Sequence, residues 1–272
     1  MKNKQNLHIH STWSDGKNTP RELIEEAIAR GFDSIGFSEH SYMYFRNTSK
    51  QLYISDMPRY RQEIRQLKAE YKGKINVFCG LEFDYYSRVP LDGFDYRIGS
   101  LHYLDFDGEI LGFDRKLDEV QEYLRVHFGG DSMAFAKRYY ETLCHLPEKG
   151  KFDILGHFDL LTKNNEQECF LDTADPRYIR MGMDAIHALQ GEIPLFEVNT
   201  GVMARAGRSY PYPQMEFVRE FKNCGFGAVI SSDCHNKDYL DNNFEDARLL
   251  LETAGFTTRW IYTDEGFKEV PL

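Results

Sequence analysis

Seven short apolar runs alternate with stretches of helical spacing along this chain. The runs fall at residues 7–10, 32–37, 75–81, 96–101, 152–156, 193–196 and 226–230. Runs of this length, bounded by turn residues, read as buried strands. Helical periodicity marks 20–30, 58–72, 117–128, 133–147, 176–190 and 215–224, with a final helix at 242–254 and a short strand at 258–262. The first helix announces its own start: Thr19 caps it, Pro20 fits the first turn, and Glu22 completes a capping box. Gly31 ends it. Residues 41–57, which include Tyr42, Tyr44 and Tyr53, follow neither period and read as a loop.

About seven strand-then-helix units without a low-complexity linker predict an α/β protein with a parallel sheet. The polar residues that end the runs choose between a closed and an open sheet. His8 and His10, Glu39 and His40, Glu82 and Asp84, His102, His157, Glu197 and Asn199, and Asp233 and His235 each follow or close an apolar stretch. Chemistry at the C-terminal end of every strand is the habit of a TIM-like α/β barrel. An open doubly wound sheet gathers its ligands at one switch point instead.

Composition narrows the function. With 272 residues and 42% hydrophobic content, the chain has material for one large barrel or two ordinary domains. A formal charge of −10 argues against a broad grip on nucleic acid or an anionic membrane. The five cysteines are odd in number and lack compact spacing, which points to free thiols in a reducing compartment. The opening residues lead into the first strand without an apolar segment of signal-peptide length, and no run approaches a membrane span. The expectation is a cytoplasmic protein.

His8 and His10 are two apart on an extended strand, so both imidazoles face one side and can share a metal ion. Among nine histidines in this length, one such pair arises by chance roughly 0.3 times. The wider pattern carries more weight. Six histidines (His8, His10, His40, His102, His157, His235) sit at strand ends, while His127, His145 and His187 fall in helical stretches and read as partly exposed residues. Together with Asp15, Glu82 and Asp233 they make nine candidate ligands, too many for one tetrahedral ion and suited to two or three. Imidazole and carboxylate without thiolate suit zinc, manganese or iron at an open, water-activating site. Hydrolysis of a phosphoester or amide is the leading chemistry, and a metal store is the weaker one. Cys234 alternates away from Asp233 and His235 and reads as structural.

His8-Ile9-His10, Glu39-His40, Glu82, His102, His157 and Ser232-Asp233-Cys234-His235 resemble the motif set of the polymerase and histidinol phosphatase superfamily. The resemblance implies a metal-dependent phosphoesterase on a distorted seven-stranded (βα)7 barrel, with residues 1–272 as a single domain. Residues 64–73, 80–85 and 99–102 are similar to the histidinol-phosphate phosphatase branch of histidine biosynthesis. Carried over by position, the family pattern implies a first metal on His8, His10, Glu82 and Asp233, and a second on Glu82, His102 and His157, bridged by Glu82. A third ion would take Asp15, His40 and His235; many members have histidine where Asp15 stands.

The implied reaction is attack of a metal-bridging hydroxide on the phosphorus of L-histidinol phosphate, in line with the departing histidinol oxygen. Glu39 is expected to orient a ligand imidazole. Asn199, Arg205 and Arg208 are the candidates for phosphate recognition, since an arginine fork fits phosphate. Asp84 or Glu197 would meet the substrate amine or support the barrel rim. The alternatives are a nucleotide or nucleic-acid 3′-end phosphoesterase and a non-catalytic metal-binding accessory protein.

Overall fold

The computed structural model describes residues 2–45 and 53–272. Its strands are β1 (Gln5–Asn6), β2 (Ser34–Phe37), β3 (Asn76–Asp84), β4 (Tyr96–Ser100), β5 (Tyr103–Phe106), β6 (Glu109–Gly112), β7 (Ile154–Leu155), β8 (Leu195–Asn199), β9 (Gly227–Ser231), β10 (Thr258–Thr263) and β11 (Gly266–Pro271). The helices are α1 (Pro20–Ala29), α2 (Met57–Glu70), α3 (Leu117–Phe128), α4 (Ser132–Leu143), α5 (Pro176–Leu189), α6 (Gly201–Ala206), α7 (Met215–Asn223) and α8 (Phe244–Thr253). Among the described residues, none of these helices is long and apolar enough to cross a membrane. Residues 46–52 of the tyrosine-rich loop lie outside the described residues.

Seven strands pair in parallel in the order β1-β2-β3-β4-β7-β8-β9. Ser34 sits opposite both Gln5 and Asn76, Gly80 opposite Tyr96, Ile154 opposite Ile98 and Leu195, and Leu195 opposite Gly227. The ring closes where Ile9 bridges Cys234: His10 N donates to Cys234 O at 2.8 Å and Cys234 N to His8 O at 3.0 Å. This is the expected α/β barrel of seven strands. The first strand differs from its expected place, since regular pairing is confined to Gln5–Asn6. Asn6 Oδ1 accepts from His8 N, and this local bond competes with the ladder until Ile9.

Period-two alternation places the site. On β3, Val77, Cys79, Leu81 and Phe83 join the core between barrel and helices, while Phe78 packs inside the barrel with Tyr96, Ile98, Ile154, Leu195 and Val229. The same inward file continues upward as Gly80, Glu82 and Asp84, so one face of one strand turns from apolar at the bottom to ionic at the top. Tyr96 fills the barrel and donates to Leu7 O at 2.5 Å. Gly36 and Gly80 make room for it: a Cβ on Gly80 would lie 2.3 Å from its ring, and one on Gly36 2.4 Å from its hydroxyl. Burying such a side chain stabilises the fold by about 1.5–3 kcal/mol.

Two hairpins lie outside the strand-helix alternation. β5 and β6 pair antiparallel across Asp107-Gly108, both at positive φ, which is the two-residue turn that hairpins favour. β10 and β11 pair likewise, and Trp260, Tyr262 and Phe267 pack against the apolar lower end of the barrel. The whole of the first hairpin, the second strand of the other and the short α6 went unpredicted from the pattern. The expected capping box at Thr19 is present, and Asp56, Asp131 and Asp175 cap α2, α4 and α5.

Candidate metal centre

The upper end of the barrel brings all nine predicted ligands together. His8 Nε2 and His10 Nε2 lie 3.4 and 3.6 Å from Glu82 Oε2, and 3.6 and 3.2 Å from Asp233 Oδ1. A tetrahedral ion with ligands at 2.0–2.1 Å needs donor separations of about 3.3 Å. His8 Nε2 and His10 Nε2 are buried and have no hydrogen-bond partner. Orphaned donors around a gap of that size fit a cation.

Glu82 offers its other oxygen to a second set. Oε1 lies 3.0 Å from His157 Nε2 and 3.5 Å from His102 Nε2, and those two nitrogens are 3.2 Å apart. Nearer the mouth, Asp15 Oδ1 lies 3.1 Å from His235 Nε2 and 3.6 Å from His40 Nε2, with the His10 ring stacked between the two imidazoles at 4.2 and 4.1 Å. His40 also meets Glu82 Oε2 through Nδ1 at 2.6 Å. These donors form overlapping groups able to hold divalent ions, with Glu82 common to two of them.

The carboxylates stay ionised despite their burial. Burial pushes the Glu82 carboxyl up, but His40, His8 and His102 outweigh it and hold it well below the usual range. Asp233 follows the same pattern, with burial opposed by Arg205 and His8. Burial pulls His40 down, yet Glu82 and Asp15 carry it up to about 10. Negative charge is thus ready for cations, and in their absence is balanced by protonated imidazole. Asp233 also adopts a left-handed φ of 45°, which aspartate tolerates better than most residues.

The residues expected around the ligands divide into supports and rim. Glu197 is buried beneath the cluster: Oε2 lies 2.9 Å from His8 Nδ1, Ser231 Oγ donates to Oε2 at 2.6 Å, and His157 N donates to Oε1 at 2.7 Å. Asp84 Oδ2 accepts from His102 N at 2.8 Å and faces His102 Nδ1 at 3.3 Å. Asn199 donates to Glu197 at 2.8 Å and to Asp233 at 3.4 Å. Glu39 turns toward the loop before α1, accepting from Ser11 N, Ser11 Oγ and Ser14 Oγ, and so shapes the segment that carries Asp15. Arg205 Nη2 pairs with Asp233 Oδ2 at 2.6 Å, and its Nη1 lies 3.3 Å from His235 Nδ1. Arg208 points elsewhere: it is buried, donates to Thr162 Oγ1, and stacks on Tyr210 and Tyr212.

A cavity of about 510 Å³ opens over Glu82, His40 and His102, and Tyr53, Tyr103, Asp114, Arg115, Lys116 and Lys163 complete much of its wall. Sequence reasoning missed this wall. Lys163 lies six residues after His157 and pairs with Asp114 at 2.6 Å, while Tyr103 and Gly112 come from the unpredicted hairpin.

The profile of the PHP domain family matches residues 6–188. This chain belongs to the PHP domain family. The chain is 28% identical over 262 residues to a probable histidinol-phosphatase of Deinococcus radiodurans, covering 92% of this chain and 94% of the relative. It is 28% identical over 269 residues to the histidinol-phosphatase of Lactococcus lactis, covering 93% and 92%. In fold it resembles a crystal structure of histidinol phosphate phosphatase from Lactococcus lactis complexed with zinc, L-histidinol and phosphate, with a TM-score of 0.70, 22% identity, and coverage of 98% and 99%.

Proposed function

We propose that this PHP domain is a divalent-metal phosphomonoesterase that hydrolyses L-histidinol phosphate to L-histidinol and phosphate. The observation that carries the reading is the pair of donor sets joined by Glu82, open to a cavity walled by cationic side chains. The full-length likeness to histidinol-phosphatases supports the choice of substrate. Two or three ions of zinc, manganese or iron suit the donors, with His8, His10, Glu82 and Asp233 holding one, Glu82, His102 and His157 another, and Asp15, His40 and His235 a third. The reading brings a cytoplasmic location with it, in accord with five free thiols.

Bound ions at such a centre supply Lewis-acid charge to phosphoryl oxygens and raise the acidity of water. The protein prepares that chemistry through its tautomers. Glu197 accepts a hydrogen bond from the Nδ1–H of His8, leaving Nε2 to face the centre, and Asp84 does the same for His102. Arg205, beside Asp233 at the rim, presents a guanidinium to a phosphoryl oxygen. Lys163, Lys116 and Arg115 raise the local potential within an acidic chain, favouring an anionic ester. Asp114 and Glu119, on the same wall, offer acceptors for the cationic amine of histidinol.

Phosphate release should be compared for L-histidinol phosphate, a nucleotide and an aryl phosphate, using metal-reconstituted protein and the His8→Ala/His10→Ala double variant. Preference for histidinol phosphate that disappears in the variant supports both substrate and centre. Cleavage of another ester alone overturns the substrate, and hydrolysis of none overturns the activity.

A further inference from the structure

On the outside of the barrel, the C-terminal ends of α5 and α7 bring together three side chains that the active centre does not use. His187 lies in the last turn of α5, Glu220 in the last turn of α7, and Cys224 at its C-cap. Glu220 and Cys224 are one helical turn apart and share a face. His187 Nε2 lies 2.6 Å from Glu220 Oε1, and Cys224 Sγ lies 3.9 Å from the same oxygen. All three donor atoms fall within 4.8 Å of one another.

We propose that His187, Glu220 and Cys224 form a second metal site, selective for a thiophilic divalent cation such as zinc, that ties α5 to α7. Imidazole, carboxylate and thiolate are all zinc donors, and tetrahedral zinc spans donor separations of about 3.3–3.8 Å. The observed separations bracket that span, and His187, 53% exposed, is free to adjust. Solvent supplies the fourth ligand at this open face. The supports are already in place: Asn223 Nδ2 donates to Glu220 Oε2 at 3.1 Å, keeping Oε1 aimed at the other two donors, and Gln190 Nε2 donates to Cys224 O at 2.9 Å. Two helix C-termini meeting here add negative potential.

Without the ion, burial and the Glu220 carboxylate keep the Cys224 thiol above its ordinary pKa. Binding therefore releases the thiol proton as a metal–sulfur bond forms, with no change in oxidation state.

Cobalt(II) separates this site from the barrel centre, because the barrel donors are only imidazole and carboxylate. The full chain, stripped of metal and reconstituted with cobalt, should show a near-ultraviolet sulfur-to-cobalt charge-transfer band that added zinc removes. Cys169→Ser should keep the band, Cys224→Ser should lose it, and His187→Ala should shift the titration to higher cobalt concentrations. Phosphate release by Cys224→Ser should match the unaltered protein, which also reports that the variant folds. A cobalt-loaded protein without the band, or a band that survives Cys224→Ser, overturns the proposal.

Discussion

Glu197 Oε2 lies 2.9 Å from His8 Nδ1, while Oε1 accepts from His157 N, so one buried carboxylate holds the His8 imidazole and the His157 backbone from beneath. Burial pushes Glu197 up, but His8 overcomes this and holds it ionised. Glu197→Gln removes that charge while keeping the shape. Metal affinity should fall about 10- to 100-fold, as is usual for outer partners of metal-bound histidines. Competition with a chelator measures it, and kcat at saturating metal should recover much of its value. Unchanged affinity would show that the carboxylate does not hold His8 for the ion.

Arg205 and Arg208, three residues apart, should give opposite phenotypes. Arg205 touches Asp233 and the rim, so Arg205→Ala removes a charge-assisted contact of about 1.5–3 kcal/mol and lowers kcat/KM by about tenfold or more. Arg208 is buried between Tyr210, Tyr212 and Thr162. Arg208→Ala should lower stability by about 1–3 kcal/mol with KM near the starting value, because it strips a buried cation–π stack and a hydrogen bond. Steady-state kinetics and thermal melts on both variants check the split, and a KM effect confined to Arg208→Ala would reverse the assignment.

The contrast between these arginines shows where sequence stops being legible. Candidate metal ligands could be read because period-two alternation and strand ends fix their place: once residues 75–81 are a strand in a barrel, Glu82 has only one place to go. Glu197 and Asp84 were visible as strand-end carboxylates, but whether they face a substrate or a neighbouring histidine depends on which residues the ring brings beside the ends of β8 and β3. No local pattern carries that distance. Arg208 and Lys163 sit in loops, where direction follows from tertiary packing. The hairpin at Asp107-Gly108 did carry a turn signal, and the surrounding alternation from Tyr103 to Gly112 could have exposed it.

Thiol reactivity tests the reading of Cys234 as structural. Burial pushes Cys234 and Cys79 up to about 12, so neither is a thiolate near neutral pH. Cys169 is exposed. Limited alkylation read by mass spectrometry should modify Cys169 first and reach Cys79 and Cys234 only after denaturation. Rapid modification of Cys234 in the folded protein, with loss of activity, would restore it as a candidate nucleophile.

Asp241 predicts a pH-dependent clamp on the barrel's first strand. Its carboxylate meets Lys4 Nζ at 2.5 Å and Arg30 Nη1 at 2.7 Å, joining the residue before β1 to the end of α1. Burial raises its pKa, but Lys4 and Arg30 outweigh burial and hold it below the ordinary aspartate value. The unfolded chain therefore binds the proton more readily, and stability rises with pH across that window. The contribution is complete above the usual aspartate range and is lost as pH falls through the depressed folded value. All three side chains are partly exposed, so screening limits the clamp to about 1 kcal/mol or less. Asp241→Asn should thus lower Tm by a few degrees at neutral pH, about 2–4 °C per kcal/mol for domains of comparable size. The gap between the two proteins should shrink steadily as melts are repeated toward acid pH. A gap that stays constant would assign the effect to hydrogen bonding that asparagine cannot reproduce, and would remove ionisation of Asp241 as its cause.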